Sequence, residues 1–448
     1  MKLSKEEQAM LDGELGVGAR RAMEIVTALG RIYGAEKLVP VTSVQVAGVS
    51  YKNLGDAGLE FLTEWADQDA HVRVQTTLNP AGMDLTRWRM LGFDETFAQR
   101  QHAVIEAFAR MGVTTTCTCT PYLVGNRPRM GEHVAWAESS AVSFANSVLG
   151  ARTNREGGPS ALAAAITGRT AAYGLHLDQN RRATLRVDVC CPVVSQADIG
   201  ALGYIVGKAA QNRVPFFEGL ETLAAERSAG VEVQDRLKAL GAAMAASGAV
   251  ALYHVAGVTP EAVAGADVLS PDAKCLVVDD LSPGYEALTR PEIWPPPGSS
   301  GKQGENSQPP RSQEGGYPPI DLVWIGCPHA SLSEIKRVVT LLAGRQVRAD
   351  LWITVAQDVR EQAAQRGLLA AVEASGAQVV TDTCVVVAPV RELGFRSMAT
   401  SSAKGAHYGP SHAGLAVHYG TLAQCVEAAV AGQWIEKSEN SNQYLTLV

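Results

Sequence analysis

The stretch that follows residue 319 constrains the fold more than any other part of the chain. It contains three apolar, β-branched runs of strand length, IDLVWIG, ADLWITVA and AQVVTDT. Helical stretches separate them, at residues 331–342 and 360–374. Strands joined through helices run parallel and build a sheet with helices on both faces. The sequence therefore predicts a doubly wound α/β unit here.

The earlier part of the chain repeats this alternation of strand and helix. Strand-like runs lie at residues 41–49, 71–79 and 113–118, and a helical stretch covers residues 94–111. The fold class predicted for the whole chain is α/β, with several domains of parallel sheets flanked by helices. The predicted boundaries are an N-terminal α/β region (1–225), a connecting α/β region (226–290), an exposed Pro/Gly-rich loop or insertion (291–319) and the doubly wound region (320–448).

Composition excludes several classes of protein. Of 448 residues, 46% are apolar and 19% are charged, which is an ordinary globular balance and not that of a disordered or fibrous chain. The net charge of −7 provides no general attraction to nucleic acid. No apolar run approaches the length of a membrane span, and the charged N-terminus is not a secretory signal. We therefore expect a cytoplasmic protein without nucleic-acid or membrane partners, whose eight cysteines do not form a disulfide scaffold.

Three cysteines follow predicted strands. Cys119, Cys327 and Cys384 each lie just past the carboxyl end of one, where open α/β sheets place their ligand sites. Three thiolates from distant positions suit an iron–sulfur cluster with an incomplete set of protein ligands, which leaves a position for a substrate hydroxyl. Two alternatives are that these cysteines are simply buried, and that they bind zinc with His329 as a fourth ligand.

Four of the other cysteines are assigned to a packing role, and Cys117 is left without one. We expect Cys190, Cys191, Cys275 and Cys425 to be buried apolar residues without chemistry. Cys117 lies two residues before Cys119, so on a strand both side chains point to the same face.

A turn before an alanine-rich helix resembles an anion site. Arg155 and Asn154 precede a glycine pair and a helix start, where backbone N–H groups and an arginine suit a carboxylate or phosphate. The residues predicted to contact substrate are Asn154, Arg155, Gly157, Gly158 and Ser160. The alternative is a tight turn at an ordinary helix start.

Five other residues are further candidates. Glu138 lies among apolar neighbours on a helix predicted to include residues 132–140, and it is a candidate tuned acid. Lys404 and His407 lie in a Gly/Ser-rich stretch, as a catalytic candidate and a substrate contact respectively, with a surface role as the alternative. Ser50 and Tyr51 lie in a loop after a predicted strand and are expected to line a pocket.

Long motifs in the chain resemble one known family. TCTPYLVGNRPRMGEHVAWAESSAVSFANSVLGARTNREGGPSALAAAITG, VWIGCPHASL, VTDTCVVVAP and SSAKGAHYGP are similar to aconitase X, a divergent branch of the aconitase superfamily. The resemblance covers nearly the whole chain except the Pro-rich segment. It implies an aconitase-like fold of several α/β domains around an iron centre held by Cys119, Cys327 and Cys384. The implied centre is most simply a 2Fe-2S cluster, with mononuclear iron as the alternative.

The resemblance also implies a partner and an activity. The family's small swivelling domain has no counterpart in this chain, so we expect a separate small subunit, whose serine would be the catalytic base. The implied reaction is dehydration of cis-3-hydroxy-L-proline to Δ1-pyrroline-2-carboxylate, with iron as a Lewis acid. The first alternative is dehydration of phosphorylated mevalonate, which would need a phosphate site as well. The second is an aconitase-like regulator that binds RNA, which the acidic composition disfavours.

Overall fold

The structure is a computed structural model and describes residues 1–220, 222–223, 231–264, 267–291 and 318–435. Most of the predicted Pro/Gly-rich segment at 291–319 lies outside these ranges. Among the described residues there are three parallel sheets and one two-stranded antiparallel pair. The predicted α/β class with parallel sheets flanked by helices is therefore confirmed.

The N-terminal unit is built around a four-stranded parallel sheet. In spatial order its strands are β4 (Thr114–Cys117), β3 (Gln75–Leu78), β2 (Ser43–Val46) and β5 (Ala135–Trp136). Strand β2 is buried along its whole length, as a central parallel strand between helices should be. The antiparallel pair joins β1 (Leu38–Pro40) to β6 (Arg169–Ala171). The helices are α1 (Lys5–Leu11), α2 (Val17–Ile32), α3 (Tyr51–Asp67), α4 (Glu95–Arg110), α5 (Ser139–Ser147) and α6 (Gly158–Thr167).

The middle unit has a second parallel sheet. Its order is β10 (Leu269–Val278), β7 (Ala183–Val189), β8 (Pro215–Glu218) and β9 (His254–Val255). Helices α7 (Gln196–Ala210) and α8 (Val231–Gly248) pack closely because α7 presents glycine to its neighbour. A Cβ added at Gly203 would lie 2.8 Å from the carbonyl oxygen of Leu240. Two shorter helices follow, α9 (Pro260–Val263) and α10 (Ser282–Leu288).

The C-terminal unit has a five-stranded parallel sheet. The order is β13 (Gln378–Thr381), β12 (Asp350–Val355), β11 (Leu322–Ile325), β14 (Ser397–Thr400) and β15 (Ala416–Tyr419). The chain builds outward from β11 first in one direction and then in the other, so the predicted doubly wound arrangement is confirmed. The helices are α11 (Leu332–Leu342), α12 (Gln357–Gln365), α13 (Leu368–Ala374), α14 (Ala403–Tyr408) and α15 (Leu422–Ala431). Ligand sites in such sheets lie beside β11 and β14, where the winding direction changes.

The first and last sheets meet through a short loop after β3. The Ala81 N–H donates to the Asp382 carbonyl oxygen at 2.6 Å, just past the end of β13. The buried carboxylate of Asp84 accepts from both the N–H and the hydroxyl of Thr381, each at 3.0 Å. These contacts bring the carboxyl ends of β4 and β13 to the same place. No helix in the described part of the chain is long and apolar enough to cross a membrane.

Candidate metal centre

The three cysteines predicted at strand ends lie where the sheets meet. Cys119 and Cys327 follow β4 and β11 by two residues, and Cys384 follows β13 by three. All three are buried, with 4%, 5% and 7% of their surface exposed. Each lies close enough to another to perturb its titration: Cys384 acts on Cys119, Cys119 on Cys327, and Cys327 on Cys384. The structure therefore brings these positions together from two sheets.

Burial controls the protonation of this cluster. It raises the pKa of Cys327 and of Cys384 to about 12, and it raises the pKa of Cys119 further. Lys404 opposes the effect, because its ammonium lowers the pKa of all three thiols. Without a bound cation the sulfurs are neutral thiols, and a metal would reverse this balance.

Lys404 is held by Glu138 in a buried ion pair. The ammonium contacts Glu138 Oε1 and lies 3.3 Å from the Ser140 hydroxyl. Glu138 also accepts from the Ser140 hydroxyl at 2.6 Å and from the Ala141 N–H at 2.7 Å. Burial would raise the pKa of Glu138, but the charge of Lys404 and these donors outweigh it and lower the pKa to about 2. Both groups are therefore charged at neutral pH beside the cysteines.

The predicted helix at residues 132–140 is wrong. Strand β5 occupies Ala135–Trp136, and Glu138 is the N-cap of α5. The parallel pairing of β5 with β2 overrides the helical tendency of the alanines and glutamates. The consequence is that Glu138 lies at the carboxyl edge of the first sheet, which is what places it near the cysteines.

His329, two residues after Cys327, is fully buried against the other two cysteine segments. Its ring Nε2 is 2.8 Å from the Thr383 carbonyl oxygen, and Nδ1 is 3.0 Å from the Thr118 hydroxyl. Burial lowers the pKa of His329 to about 4, so the ring is neutral. Both ring nitrogens are used in these hydrogen bonds, so neither is free as a fourth zinc ligand.

The chemistry of the three thiols fits an iron–sulfur cluster with an incomplete protein ligand set. Neither of the two nitrogen-bearing neighbours described here is available as a fourth ligand, since His329 is engaged and Lys404 is an ammonium without a lone pair. Within the described ranges, no three His, Cys, Asp or Glu side chains are already grouped with metal-ligand geometry. The cysteines are thus neighbours that would have to turn toward a bound group.

Residues predicted to contact substrate are at the same edge of the first sheet, although several are engaged in local structure. Asn154 donates to the Tyr173 carbonyl oxygen and accepts from the Leu175 N–H. Ser160 caps α6 by accepting from the Gly157 N–H at 2.9 Å, and its hydroxyl lies 2.7 Å from Glu156 Oε2. These polar atoms stabilise the turn.

The rest of the turn is better placed for a ligand. Arg155 is exposed, pairs through its backbone with Trp136 in β5, and has no ion-pair partner within the described ranges. A Cβ added at Gly158 would lie 2.7 Å from the Ala47 carbonyl oxygen, so this position needs glycine to bring α6 against the end of β2. With Gly157 before it, the turn faces the carboxyl edge of the sheet.

Three other candidates lie around Cys384 and α14. Ser50 is buried and donates to the Val387 carbonyl oxygen at 3.0 Å. Tyr51 follows it and donates to Asp56 at 2.8 Å, away from the cysteines. His407, on α14, is half-buried against the Tyr204 ring, with ring centroids 5.8 Å apart.

Lys52 is a cation near the cysteines that the sequence did not single out. Its ammonium donates to the carbonyl oxygens of Ala388 and His412, each at 3.0 Å. Burial lowers the pKa of Lys52, while the negative charge of Glu392 acts against that effect. The SYK segment that carries it resembles any helix start, so only the contact with the loop after Cys384 reveals the lysine.

The predicted packing role holds for only one of the four cysteines to which it was assigned. Cys425 is buried, as predicted, and so is Cys117, for which no role was predicted. Cys190 and Cys275 are exposed and Cys191 is intermediate, so a buried role is wrong for these three. For Cys275 the reason is that β10 is an edge strand, and Cys275 on it reaches Asp188 of β7 at 3.4 Å on the solvent side; Cys190 and Cys191 lie just after the end of β7.

Comparison with known proteins agrees with the fold and the motifs. Models of the aconitase X first, second and third domains match residues 1–179, 183–280 and 320–431. The chain is 50% identical to the phosphomevalonate dehydratase large subunit of Methanothermobacter thermautotrophicus, over 93% of this chain and 96% of that one. It is 37% identical to the cis-3-hydroxy-L-proline dehydratase of Pseudomonas aeruginosa, over 96% of this chain and 70% of that one.

A solved structure shows the same architecture. The crystal structure of aconitase X from Thermococcus kodakaraensis, in its holo-form, matches with a TM-score of 0.82 and 43% sequence identity. The match covers 96% of this chain and 100% of that one. Three domain models, curated dehydratases at this identity and a shared fold all agree, so the chain belongs to the aconitase X family and is a hydro-lyase.

Proposed function

We propose that this chain is the large subunit of a dehydratase that acts on a phosphorylated 3-hydroxy acid of the phosphomevalonate type. The observation that carries this proposal is the gradient of similarity. Identity is 50% to a phosphomevalonate dehydratase large subunit and 37% to a cis-3-hydroxy-L-proline dehydratase. The sequence analysis placed hydroxyproline first and phosphorylated mevalonate second. We now propose the opposite order, with hydroxyproline as the second candidate substrate.

The two substrates share the reacting unit and differ in the second charged group that they carry. Each has a hydroxyl group β to a carboxylate and a proton on the carbon between them. The phosphorylated acid adds a second anion, whereas hydroxyproline adds a secondary ammonium. Specificity therefore depends on whether the site offers an unpaired cation or an unpaired carboxylate.

Charges near the cysteines favour the substrate with two anions. Lys52 is bonded only to carbonyl oxygens, and Arg155 has no carboxylate partner in the described part of the chain. The carboxylate of Glu138, in contrast, is already neutralised by Lys404. Two cations without a carboxylate partner in the described part of the chain suit a carboxylate at one end of the substrate and a phosphate at the other.

Cys119, Cys327 and Cys384 would hold the iron centre. Such a centre supplies a Lewis acid that makes hydroxide a tolerable leaving group. Lys404 would balance the negative charge of the thiolates, and Glu138 would keep that ammonium in position. The proton on the carbon next to the carboxylate would pass to a base from a separate small subunit, for which we propose a serine.

Turnover by the anaerobically co-expressed large and small subunits tests the proposal. We expect iron and sulfide in the complex and turnover of mevalonate 5-phosphate in preference to cis-3-hydroxy-L-proline. About two iron atoms and two sulfides per complex would support a 2Fe-2S cluster, and iron without sulfide would support mononuclear iron. Turnover of hydroxyproline alone would replace the leading substrate with the second one, and iron binding without turnover of either would remove both.

The Lys52→Met variant tests whether the site binds the phosphate of mevalonate 5-phosphate. Loss of a charge-assisted contact to phosphate should raise KM for mevalonate 5-phosphate by about 10- to 100-fold. Lys336→Met on the exposed surface of α11 is the control and should leave KM unchanged. An unchanged KM in the Lys52 variant would show that the phosphate binds elsewhere.

A further inference from the structure

His329 touches the segments that carry all three cysteines. It lies two residues after Cys327 in the chain. Its backbone N–H donates to the sulfur of Cys119 at 3.1 Å, across 210 residues of sequence. Its ring contacts Thr118 and Thr383, which directly precede Cys119 and Cys384.

The donors and acceptors assign one arrangement of protons to this contact. The Thr383 carbonyl oxygen only accepts, so the ring proton is on Nε2 of His329. Nδ1 is then an acceptor, and the Thr118 hydroxyl donates to it. The Thr118 oxygen in turn accepts from the Thr120 N–H at 3.1 Å. Each polar atom of the ring is used in one direction, toward one neighbouring segment.

The backbone of His329 is supported from the opposite side. Its carbonyl oxygen lies 3.3 Å from the ammonium of Lys238 on α8. That lysine is buried and pairs with Asp235 at 3.1 Å and with Glu334. The loop that carries Cys327 is therefore fixed between the middle unit and the cysteine cluster, and His329 faces the cluster.

We propose that His329 is a positioning residue that holds the three cysteine-bearing segments in register. Its ring fixes the Thr118–Cys119 segment to the Thr383–Cys384 segment, and its own backbone joins both to Cys327. The role of the cysteines as ligands rests on the proposed function. We call this set of contacts made by His329 the brace. It is a property of the metal-free chain and can be measured there.

Alkylation of the reduced, metal-free protein by iodoacetamide tests this brace, with the rate at each cysteine followed by mass spectrometry. In His329→Ala we expect alkylation of Cys119 and Cys384 to accelerate by about tenfold or more, the factor for losing one or two buried hydrogen bonds. Cys425 is the internal reference, because it lies on the core-facing side of α15, is fully buried and reports general unfolding.

Two conservative variants separate the two arms of the brace. In His329→Gln the amide N–H₂ replaces Nε2 and keeps the bond to Thr383, while the contact with Thr118 is lost. In His329→Asn the amide oxygen replaces Nδ1 and keeps the bond from Thr118, while the contact with Thr383 is lost. We therefore expect faster alkylation mainly at Cys119 in the Gln variant and mainly at Cys384 in the Asn variant.

His254→Ala is the matched control. His254 is equally buried, and its Nε2 donates to the Arg181 carbonyl oxygen at 2.8 Å in the middle unit. Its loss should not raise alkylation of Cys119 or Cys384 relative to Cys425. The proposal is overturned if the His329 variants raise alkylation of Cys119, Cys384 and Cys425 in equal proportion. It is also overturned if the Gln and Asn variants give the same pattern of alkylation.

Anaerobic reconstitution separates this inference from the proposed function. The Gln and Asn variants each keep one of the two ring contacts, so their iron uptake should exceed that of His329→Ala. The visible spectrum of the bound centre in these variants should shift from that of the wild type. Wild-type protein that takes up no iron would remove the proposed centre. The alkylation pattern would still confirm or refute the brace.

Discussion

Replacement of Glu138 by glutamine should expose the cost of leaving Lys404 unpaired. The two side chains are only 6% and 8% exposed, so solvent screens their attraction weakly. Glutamine keeps the shape and the hydrogen-bond acceptor but removes the charge. The pKa of Glu138 falls from 4.5 to about 2 in the folded chain. Each unit corresponds to about 1.4 kcal/mol, so ionised Glu138, with Lys404 and its hydrogen-bond donors, contributes about 3 kcal/mol to the free energy of unfolding.

The stabilisation by ionised Glu138 should also depend on pH. Because the folded pKa is depressed, the stabilisation is complete above pH 4.5 and is lost as pH falls toward 2. Protonated Glu138 resembles glutamine, so the difference between wild type and Glu138→Gln should shrink over this range. Urea unfolding of the reduced, metal-free protein at several pH values measures it.

A surface ion pair provides the control. Arg20 and Glu24 are 58% and 47% exposed, so Glu24→Gln should change the free energy of unfolding by about 0.5 kcal/mol or less. A Glu138→Gln effect as small as this at pH 7, or one that persists unchanged below pH 3, would refute the account of the buried pair.

Two further variants test other parts of the site. Cys327→Ala should abolish iron binding by the reconstituted protein, whereas Cys275→Ala, on an exposed edge strand, should retain it; equal iron contents would contradict the division of the cysteines. Lys238→Met should lower the free energy of unfolding by about 3–5 kcal/mol, because it removes the ammonium that pairs with the buried carboxylates of Asp235 and Glu334 and leaves the more distant Arg337, at 3.8 Å from Asp235. Exposed Lys208→Met is the comparison, with about 1 kcal/mol or less from its contact with an aromatic ring; similar losses in both would refute the buried cluster.

The sequence predicted the C-terminal unit well because its strands are buried on both faces. LVWI, DLWITV and QVVT are almost continuous apolar runs, and the helices between them force parallel pairing. Cysteines directly after such strands must lie at the same sheet edge, whatever the order of the strands. The proximity of Cys327 and Cys384 was therefore accessible from local patterns and topology.

Other parts of the site depended on contacts that local patterns do not encode. Whether Asn154 binds a ligand or a backbone carbonyl depends on where Tyr173 lies, and sequence spacing does not reveal that. The same holds for Glu138, whose segment reads as helix until β2 pairs with it. Lys52 and His329 went unassigned or misassigned because their partners are hundreds of residues away.

The meeting of two sheets at the cysteines has a consequence for how the protein matures. A ribosome releases the segment around Cys119 long before the one around Cys384, so no partial chain presents all three sulfurs. The proposed iron centre would then form only in a molecule whose first and last sheets have already docked. An occupied centre would therefore be found only in chains whose synthesis and folding are both complete.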